Sequence, residues 1–413
     1  MNESFDIAIV GAGLAGTALA CALCAAAASK SGPLRIALIE AKTMKSGWPE
    51  CNEGIHSFDP RVSALTVASQ AFLTDVGVWP AMTRQRISPF EKMQVWDAEG
   101  TGAVSFDAAD VRAPVLGHIV ENRVTLAALV NQLKQSPNIQ TFDGQAVAHL
   151  HLPENPEDET PKLTLEDGTV IHSTLIVAAD GANSPLREMA DIDVREWSYE
   201  HDALVCTVSV EQPHQRTAWQ RFTSFGPLAF LPLVTNTDDK NYCSIVWSQT
   251  GEKTTAAMAM NDEDFCVALS RAFENRLGKV TACSGRYSYP LQQRHAVDYT
   301  KAGFALIADA AHSIHPLAGQ GINLGLADVK VLSECILAAH TRGQSVGDIA
   351  VLNRYQRQRK GDNLAMMSAV EGFKRLFAPI PLPLRWLRNS GMNFLQQRAT
   401  LKNKIIKYAM GII

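Results

Sequence analysis

The residues with chemistry in them fall in three short stretches. The first is Gly11-Ala12-Gly13-Leu14-Ala15-Gly16, which follows a β-branched run over residues 5–10 and opens an Ala-rich run through residue 28. A G-x-G-x-x-G between strand and helix suits a dinucleotide. Gly11 makes the tight turn, Gly13 lets a pyrophosphate approach the backbone, and Gly16 lets the helix pack on the strand, with the helix's first amides aimed at the phosphates. A second strand-like run, 35–39, ends at Glu40, whose carboxylate can accept both hydroxyls of an adenosine ribose. This unit predicts a dinucleotide site without choosing between NAD and FAD.

The second stretch is Asp180-Gly181-Ala182-Asn183-Ser184-Pro185-Leu186-Arg187, at the end of the apolar run 174–179. Read locally, it is an Asp-Gly turn leading into a helix with proline in its first turn. The third begins after the buried-strand pattern 304–307. It reads Ala308-Asp309-Ala310-Ala311-His312, then Pro316-Leu317-Ala318-Gly319-Gln320-Gly321-Ile322-Asn323, then a helical pattern from 326 to about 339. Asp309 at a strand end can bind a polyol hydroxyl, and the Gly-rich entry to the helix offers free amides to a carbonyl or an anion. A reduced flavin is such an anion. His312 and His315 share an i, i+3 spacing, but no H-E-x-x-H pattern or third ligand accompanies them, so no metal is expected.

The frame that must position these stretches is large. At 413 residues the chain exceeds what one hydrophobic core usually serves. A formal net charge of -4 provides no basic field for nucleic acid. Eight cysteines at irregular spacing read as reduced thiols of a cytoplasmic protein, and Cys21-x-x-Cys24 lies in a helical, apolar context. Residues 7–28 imitate a membrane span or a signal sequence, yet only acidic Glu3 and Asp6 precede them, and the glycines have the better explanation already given. Between the second and third stretches, the segments 203–211, 219–225, 228–234 and 242–249 alternate with period two and predict a mainly antiparallel sheet. The expected architecture is α/β, a Rossmann-like FAD-binding domain with an interleaved antiparallel substrate sheet and a C-terminal helical segment. Its division is FAD domain at 1–80, 107–187 and 291–345, substrate strands at 81–106 and 188–290, and a helical, basic tail at 346–413.

The three stretches, in this order, match the fingerprints of the para-hydroxybenzoate hydroxylase-like flavoprotein monooxygenases. Arg61-Val62-Ser63-Ala64-Leu65, Gly117-His118-Ile119-Val120-Glu121-Asn122 and His315-Pro316-Leu317-Ala318-Gly319-Gln320-Gly321 narrow the likeness to the ubiquinone-biosynthesis ring hydroxylases. The resemblance spans nearly the whole chain. It implies that Asp309 binds the flavin ribityl chain, that Asp180-Gly181 serves flavin and nicotinamide nucleotide alike, and that Arg61 and Arg123 contact flavin. It further implies FAD, NAD(P)H and O2 as reactants and a polyprenylated phenol or benzoquinol as substrate. The stretches at 106–109, 219–223, 384–389 and 407–411 look most like the member acting late, on the methoxy-methyl-benzoquinol, with siblings acting on earlier phenols as the alternative. One departure stands out: Ala308 occupies a place where the family has glycine, which adds a methyl group near the expected cofactor and is expected to weaken flavin binding.

Two other classes share the fold. A tryptophan-type halogenase is expected to carry W-x-W-x-I-P, which is absent, and a non-catalytic prenyl-binding protein has no need of the flavin motifs. No acid–base residue stands out. From 373 to 413 the chain holds eight Lys or Arg and no Asp or Glu among many apolar residues, the composition of an element that lies on an anionic membrane or docks on an acidic partner protein. A packed helical cap is the plainer reading.

Overall fold

A computed structural model describes residues 2–25, 32–45, 47–50, 52–154, 159–235, 237, 239–314, 321–378 and 381–412. One sheet runs Thr300–Lys301, Phe304–Leu306, Val170–Ala178, Asn2–Val10, Ile36–Glu40, Ile139–Asp143, parallel from Phe304–Leu306 onward. Its central strands are buried on both faces, as continuous β-branched runs require; Ile7, Ile9, Leu38, Ile176 and Val177 are fully enclosed. The register sets Val10 beside Ala178 and Ile39, and Ala178 beside Leu306. Three bonds continue that ladder past the strand ends: Gly11 N–H to Ile39 O, Ala179 N–H to Val10 O, and Ile307 N–H to Ala178 O. Stretches separated by some 300 residues of chain therefore emerge side by side at the carboxyl edge of one sheet, the edge where open α/β sheets bind ligands.

The membrane-like run resolves into the helix Leu14–Ala25, whose residues Ala15 to Leu23 are all buried. It packs against the helices Gly321–Thr341 and Asn122–Leu133, which explains apolar residues around its whole circumference. Cys21 lies inside this contact, donating to Leu129 O, and burial pushes its thiol pKa well up, so the C-x-x-C is packing rather than a reactive pair. No helix among the described residues is long and apolar enough to cross a membrane.

The second sheet has nine strands among the described residues. The long strand Val194–Val210 pairs antiparallel with Tyr287–Ala296 and Tyr242–Thr250, then Gly226–Leu233 and Thr217–Thr223 follow. Lys92–Asp97 joins Thr217–Thr223 in parallel and Ala103–Asp107 closes that edge. Each of the four alternating segments is a strand here. A small antiparallel sheet, Val62–Thr66, Gly117–Glu121, Ile87–Phe90, bridges the two large ones.

The tail forms three helices, Ile349–Phe377, Leu382–Gln397 and Ala399–Ala409. Several of its basic residues are not open to a partner. Arg388 is buried against Asp97, Arg385 pairs with Glu99 and Lys402 with Asp110, so these three fasten the helices to the second sheet and its neighbouring turn. The expectation of eight available charges is corrected on this point, because sequence does not reveal which basic residues meet an acid across the fold.

Candidate functional site

At the sheet's carboxyl edge the three glycines of the first motif are glycine for different reasons. Gly11 has φ +102°, and a Cβ there would lie 2.4 Å from Ala179 O. A Cβ on Gly16 would meet Gly11 O at 1.9 Å, so strand and helix touch through that hydrogen. Around Gly13 no atom of the described residues lies within 4 Å of such a Cβ. Protein packing explains the first two, whereas the open space over Gly13 is what a ligand approaching the backbone needs. Glu40 lies beside the turn, its Oε2 accepting from Ala12 N–H at 2.7 Å and its Oε1 from Lys42 N–H at 3.0 Å.

Asp180 follows the neighbouring strand. Its Oδ2 accepts from Leu186 N–H at 3.1 Å, while its Oδ1 is buried and meets no partner. Burial raises its carboxyl pKa above the ordinary range. An orphaned buried carboxylate oxygen is costly, and a hydroxyl from a bound molecule would satisfy it. Beside it Gly181 takes φ +89° with free space around it. Arg187, from the same motif, reaches across to the third: its Nη1 donates to Ala310 O at 3.0 Å and to Ala182 O at 3.2 Å.

The third motif starts in an unusual backbone state. Ala308 has φ +51°, the left-handed region that glycine adopts freely. Its methyl group lies against Gly325 of the helix Gly321–Thr341, where a Cβ on Gly325 would come within 2.9 Å of it. The expected intrusion of this methyl toward a cofactor is thus corrected: it packs on the helix, and the cost of alanine is backbone strain. Asp309 follows with its side chain open to solvent at the mouth of a dense surround, which raises its carboxyl pKa. Partly desolvated and accessible, it can accept polyol hydroxyls.

What holds this loop was not read from sequence. Asp328, fully buried on the helix Gly321–Thr341, accepts from Ala308 N–H at 3.0 Å and pairs with His312 Nε2 at 2.5 Å and Arg359 Nε at 2.8 Å. Burial alone would raise its pKa, but His312 and Arg359 outweigh that and hold it below the usual carboxylate range. The only clue in the sequence is an acid inside an apolar helical face.

Of the other expected contacts, Gly321 opens the helix Gly321–Thr341, and among the described residues no atom comes within 4 Å of where its Cβ would stand. Asn323 is buried, its side chain accepting from Thr66 N–H and Ser69 Oγ and donating to Ala64 O, so that side chain joins the helix to the small sheet. Pro316 and Gly319, like His315, lie outside the described residues. Arg61 is exposed, with its backbone N–H on Asp59. Arg123 is half-buried and engaged by Glu121 Oε2 at 2.7 Å and Ser57 O at 2.5 Å. Glu121 also takes the buried Arg86 at 2.9 Å and Asp59 N–H at 2.7 Å. This Arg86–Glu121–Arg123 cluster anchors the segment 52–61 and was also missed.

Beyond the small sheet opens a cavity of about 850 Å³. Ala64, Leu65 and Thr66 border it, and Thr66 N–H is the donor to Asn323, one turn into the helix Gly321–Thr341. From there it continues between the substrate sheet, at Trp219, Phe222, Ala229 and Leu231, and the tail helices, at Phe377, Met392, Ile406 and Met410. The lining is almost wholly apolar; Gln220, buried, is one of its few polar side chains.

The described groups fit FAD: an open glycine over which a pyrophosphate can lie, an unpaired Asp180 oxygen, an accessible Asp309 and a helix N-terminus at Gly321. A family model described as "FAD binding domain" matches residues 4–369. The chain is 36% identical over its full length to the full-length 3-demethoxyubiquinol 3-hydroxylase of Escherichia coli. It is 32% identical to the ubiquinone biosynthesis monooxygenase COQ6 of Xenopus tropicalis, across 98% of this chain and 93% of that one. Among solved structures, p-nitrophenol 4-monooxygenase PnpA from Pseudomonas putida superposes with a TM-score of 0.76 at 16% identity, covering 99% of this chain and 98% of that one, a likeness of fold.

Proposed function

Since the chain belongs to the FAD-dependent ring hydroxylases of the ubiquinone-biosynthesis type, we propose that it hydroxylates the ring of a polyprenylated phenol or benzoquinol, using NAD(P)H and O2. The observation that carries this reading is the apolar cavity. Its roughly 850 Å³ stands in the upper part of the range of about 300–1,000 Å³ typical of small-molecule pockets. Its scarcity of polar groups selects a ligand that is polar at one end only, because an unpartnered buried polar group costs about 1–3 kcal/mol. A ring set near Ala64–Thr66 with an isoprenoid tail running toward Phe377 and Met392 has that shape.

Bound FAD supplies the redox chemistry, taking electrons from NAD(P)H and activating O2. Glu40, Asp180 and Asp309 would hold its hydroxyls, and the open backbone at Gly13 its pyrophosphate. The residues of the chain do the rest: the amides at the start of the helix Gly321–Thr341 favour negative charge at the ring system, Gln220 orients the substrate's oxygen substituents, and the apolar walls exclude water. The late methoxy-methyl-benzoquinol step is favoured by the activity for which the Escherichia coli relative is named; an earlier step remains the second reading, supported by the match to COQ6 across 98% of this chain. Such a substrate resides in a bilayer, so this reading carries peripheral attachment to the inner membrane face with it. Mass spectrometry of quinone intermediates in a strain lacking the gene tests it. Accumulation of the demethoxy species supports the late step, accumulation of an earlier phenol moves the assignment to that step, and an unchanged quinone profile refutes the function.

A further inference from the structure

The cavity's mouth is identified by side chains that line it and also face solvent. Phe373, Leu376, Leu384 and Leu387 do both, Leu387 being 60% exposed. The opening therefore lies between the last turn of Ile349–Phe377 and the first half of Leu382–Gln397. Next to it, outside the cavity, the second helix presents Leu382, 73% exposed, Trp386, 72% exposed, and Phe394. These are among the most exposed large apolar residues described. The helix's opposite stripe is fastened: Arg388 pairs with the buried Asp97, Asn389 Nδ2 donates to the same carboxylate at 2.8 Å, and Asn389 Oδ1 accepts from Gly102 N–H at 2.5 Å. A helix fastened on one side, with bare Leu and Trp around an apolar opening on the other, is the geometry of an interfacial element.

Charge selects the partner. Arg398, Lys404 and Lys407 are exposed on and just before the helix Ala399–Ala409, which contacts this one, and residues 373–413 contain no acid. The two acids nearest the opening, Glu371 and Glu99, are taken up by Arg375 and Arg385, so the exposed cations of this segment complement an anionic bilayer.

We propose that Leu382–Gln397 is an interfacial anchor whose Leu382 and Trp386 enter the headgroup–acyl boundary of an anionic membrane, so that the cavity mouth opens into lipid and the substrate's tail passes from bilayer to cavity without crossing water. The docking surface stands on exposure and charge; only the identity of what passes through rests on the function proposed above.

Flotation of the FAD-loaded protein with vesicles of phosphatidylcholine and phosphatidylglycerol tests it, comparing the intact chain with Leu382→Ser/Trp386→Ser and with Lys404→Gln/Lys407→Gln. Neither apolar residue lines the cavity or contacts the flavin-side residues, so the first variant keeps its flavin content. Binding by it is expected to fall by about 100-fold, roughly tenfold for each large apolar side chain withheld from lipid. The Lys variant is expected to lose binding to anionic vesicles while matching the intact chain on phosphatidylcholine alone. Turnover of a short-chain quinol dissolved in water should be equal for all three, whereas a long-tailed quinol in vesicles should be turned over slowly by the Ser variant. No flotation of the intact chain, or equal flotation of the intact chain and the Ser variant, overturns the proposal. Normal flotation with no hydroxylation of either quinol leaves the anchor standing and refutes the proposed function instead.

Discussion

Ala308 and Gly325 make a coupled pair whose energetics can be worked out in advance. Alanine at φ +51° carries a left-handed penalty of about 1–2 kcal/mol. Gly325, inside a helix, costs about 0.5–1 kcal/mol relative to alanine there. Only the first can be repaired alone with a net gain. Gly325→Ala would set its new methyl within 2.9 Å of the Ala308 methyl, an overpacking expected to cost about 1–3 kcal/mol and to cancel any gain in helix propensity. Ala308→Gly removes strain but frees the unfolded chain, a loss of about 0.4–1 kcal/mol, so its net effect is small and stabilising. With Ala308 changed to glycine the next atom facing residue 325 is 3.6 Å away, so Gly325→Ala becomes favourable in that background. The double variant should exceed the natural chain in stability by about 1 kcal/mol, and the cycle should show a coupling of about 1–3 kcal/mol. Urea unfolding of the four proteins without flavin measures both. Additivity within about 0.5 kcal/mol would mean that the two methyl positions do not meet and that the packing argument is wrong. Flavin titration of the same four proteins should give unchanged or tighter FAD binding for Ala308→Gly; a clear loss would show that the alanine serves the cofactor site.

Asp309→Ala should weaken FAD binding by about 10–100-fold in a fluorescence titration, the loss of a charge-assisted hydrogen bond of about 1.5–3 kcal/mol; full flavin content would remove Asp309 from the site. Asp328→Asn leaves Arg359 and His312 facing an uncharged group and should cost about 3–5 kcal/mol, read by urea unfolding near neutral pH. Because the Asp328 pKa is depressed in the folded state, its contribution is present above the unfolded value of about 3.9 and is lost as pH falls through the folded one, so the gap between natural and variant chains should close in acid. Burial lowers His118 and His295 to about 4, so the unfolded chain binds their protons first and stability should decline as pH falls from about 6.5 toward 4. Replacing His118 by Phe should flatten that decline in urea midpoints measured from pH 7 to 5, and an unchanged slope would show that His118 is not the group titrating.

The parts of this fold legible in sequence were those written in local pattern. The β-branched run before Gly11, the run ending at Ala179 and the run ending at Ile307 each announced a buried strand with a chemical residue at its end, and the parallel sheet brings all three together. The alternating segments of the substrate sheet were equally plain. What sequence withheld depends on pairing across distance. Asp328 and Arg359, and Arg86 and Glu121, are ordinary charged residues until the fold buries them against each other. Asn323 sits in a motif and so reads as a ligand contact, but that its side chain also ties the helix to Thr66, Ser69 and Ala64 shows only in the fold. The cavity draws its walls from segments around residues 64, 104, 220 and 377; a substrate sheet was expected to contain the second and third, but which of its faces lines the cavity, and the share taken by the first and last, depend on packing across the fold. In the tail, composition gave the charge, but which lysines and arginines face solvent follows from where Asp97, Glu99 and Asp110 happen to lie.

The central claim is most directly tested by supplying the purified, FAD-loaded protein with NAD(P)H, isotopically labelled O2 and a demethoxyubiquinol, and following the product by mass spectrometry. One labelled oxygen atom incorporated into the ring, in proportion to NAD(P)H consumed, is the result this account predicts. Oxidation of NAD(P)H with no label in the ring, or ring oxygen drawn from water, would contradict it.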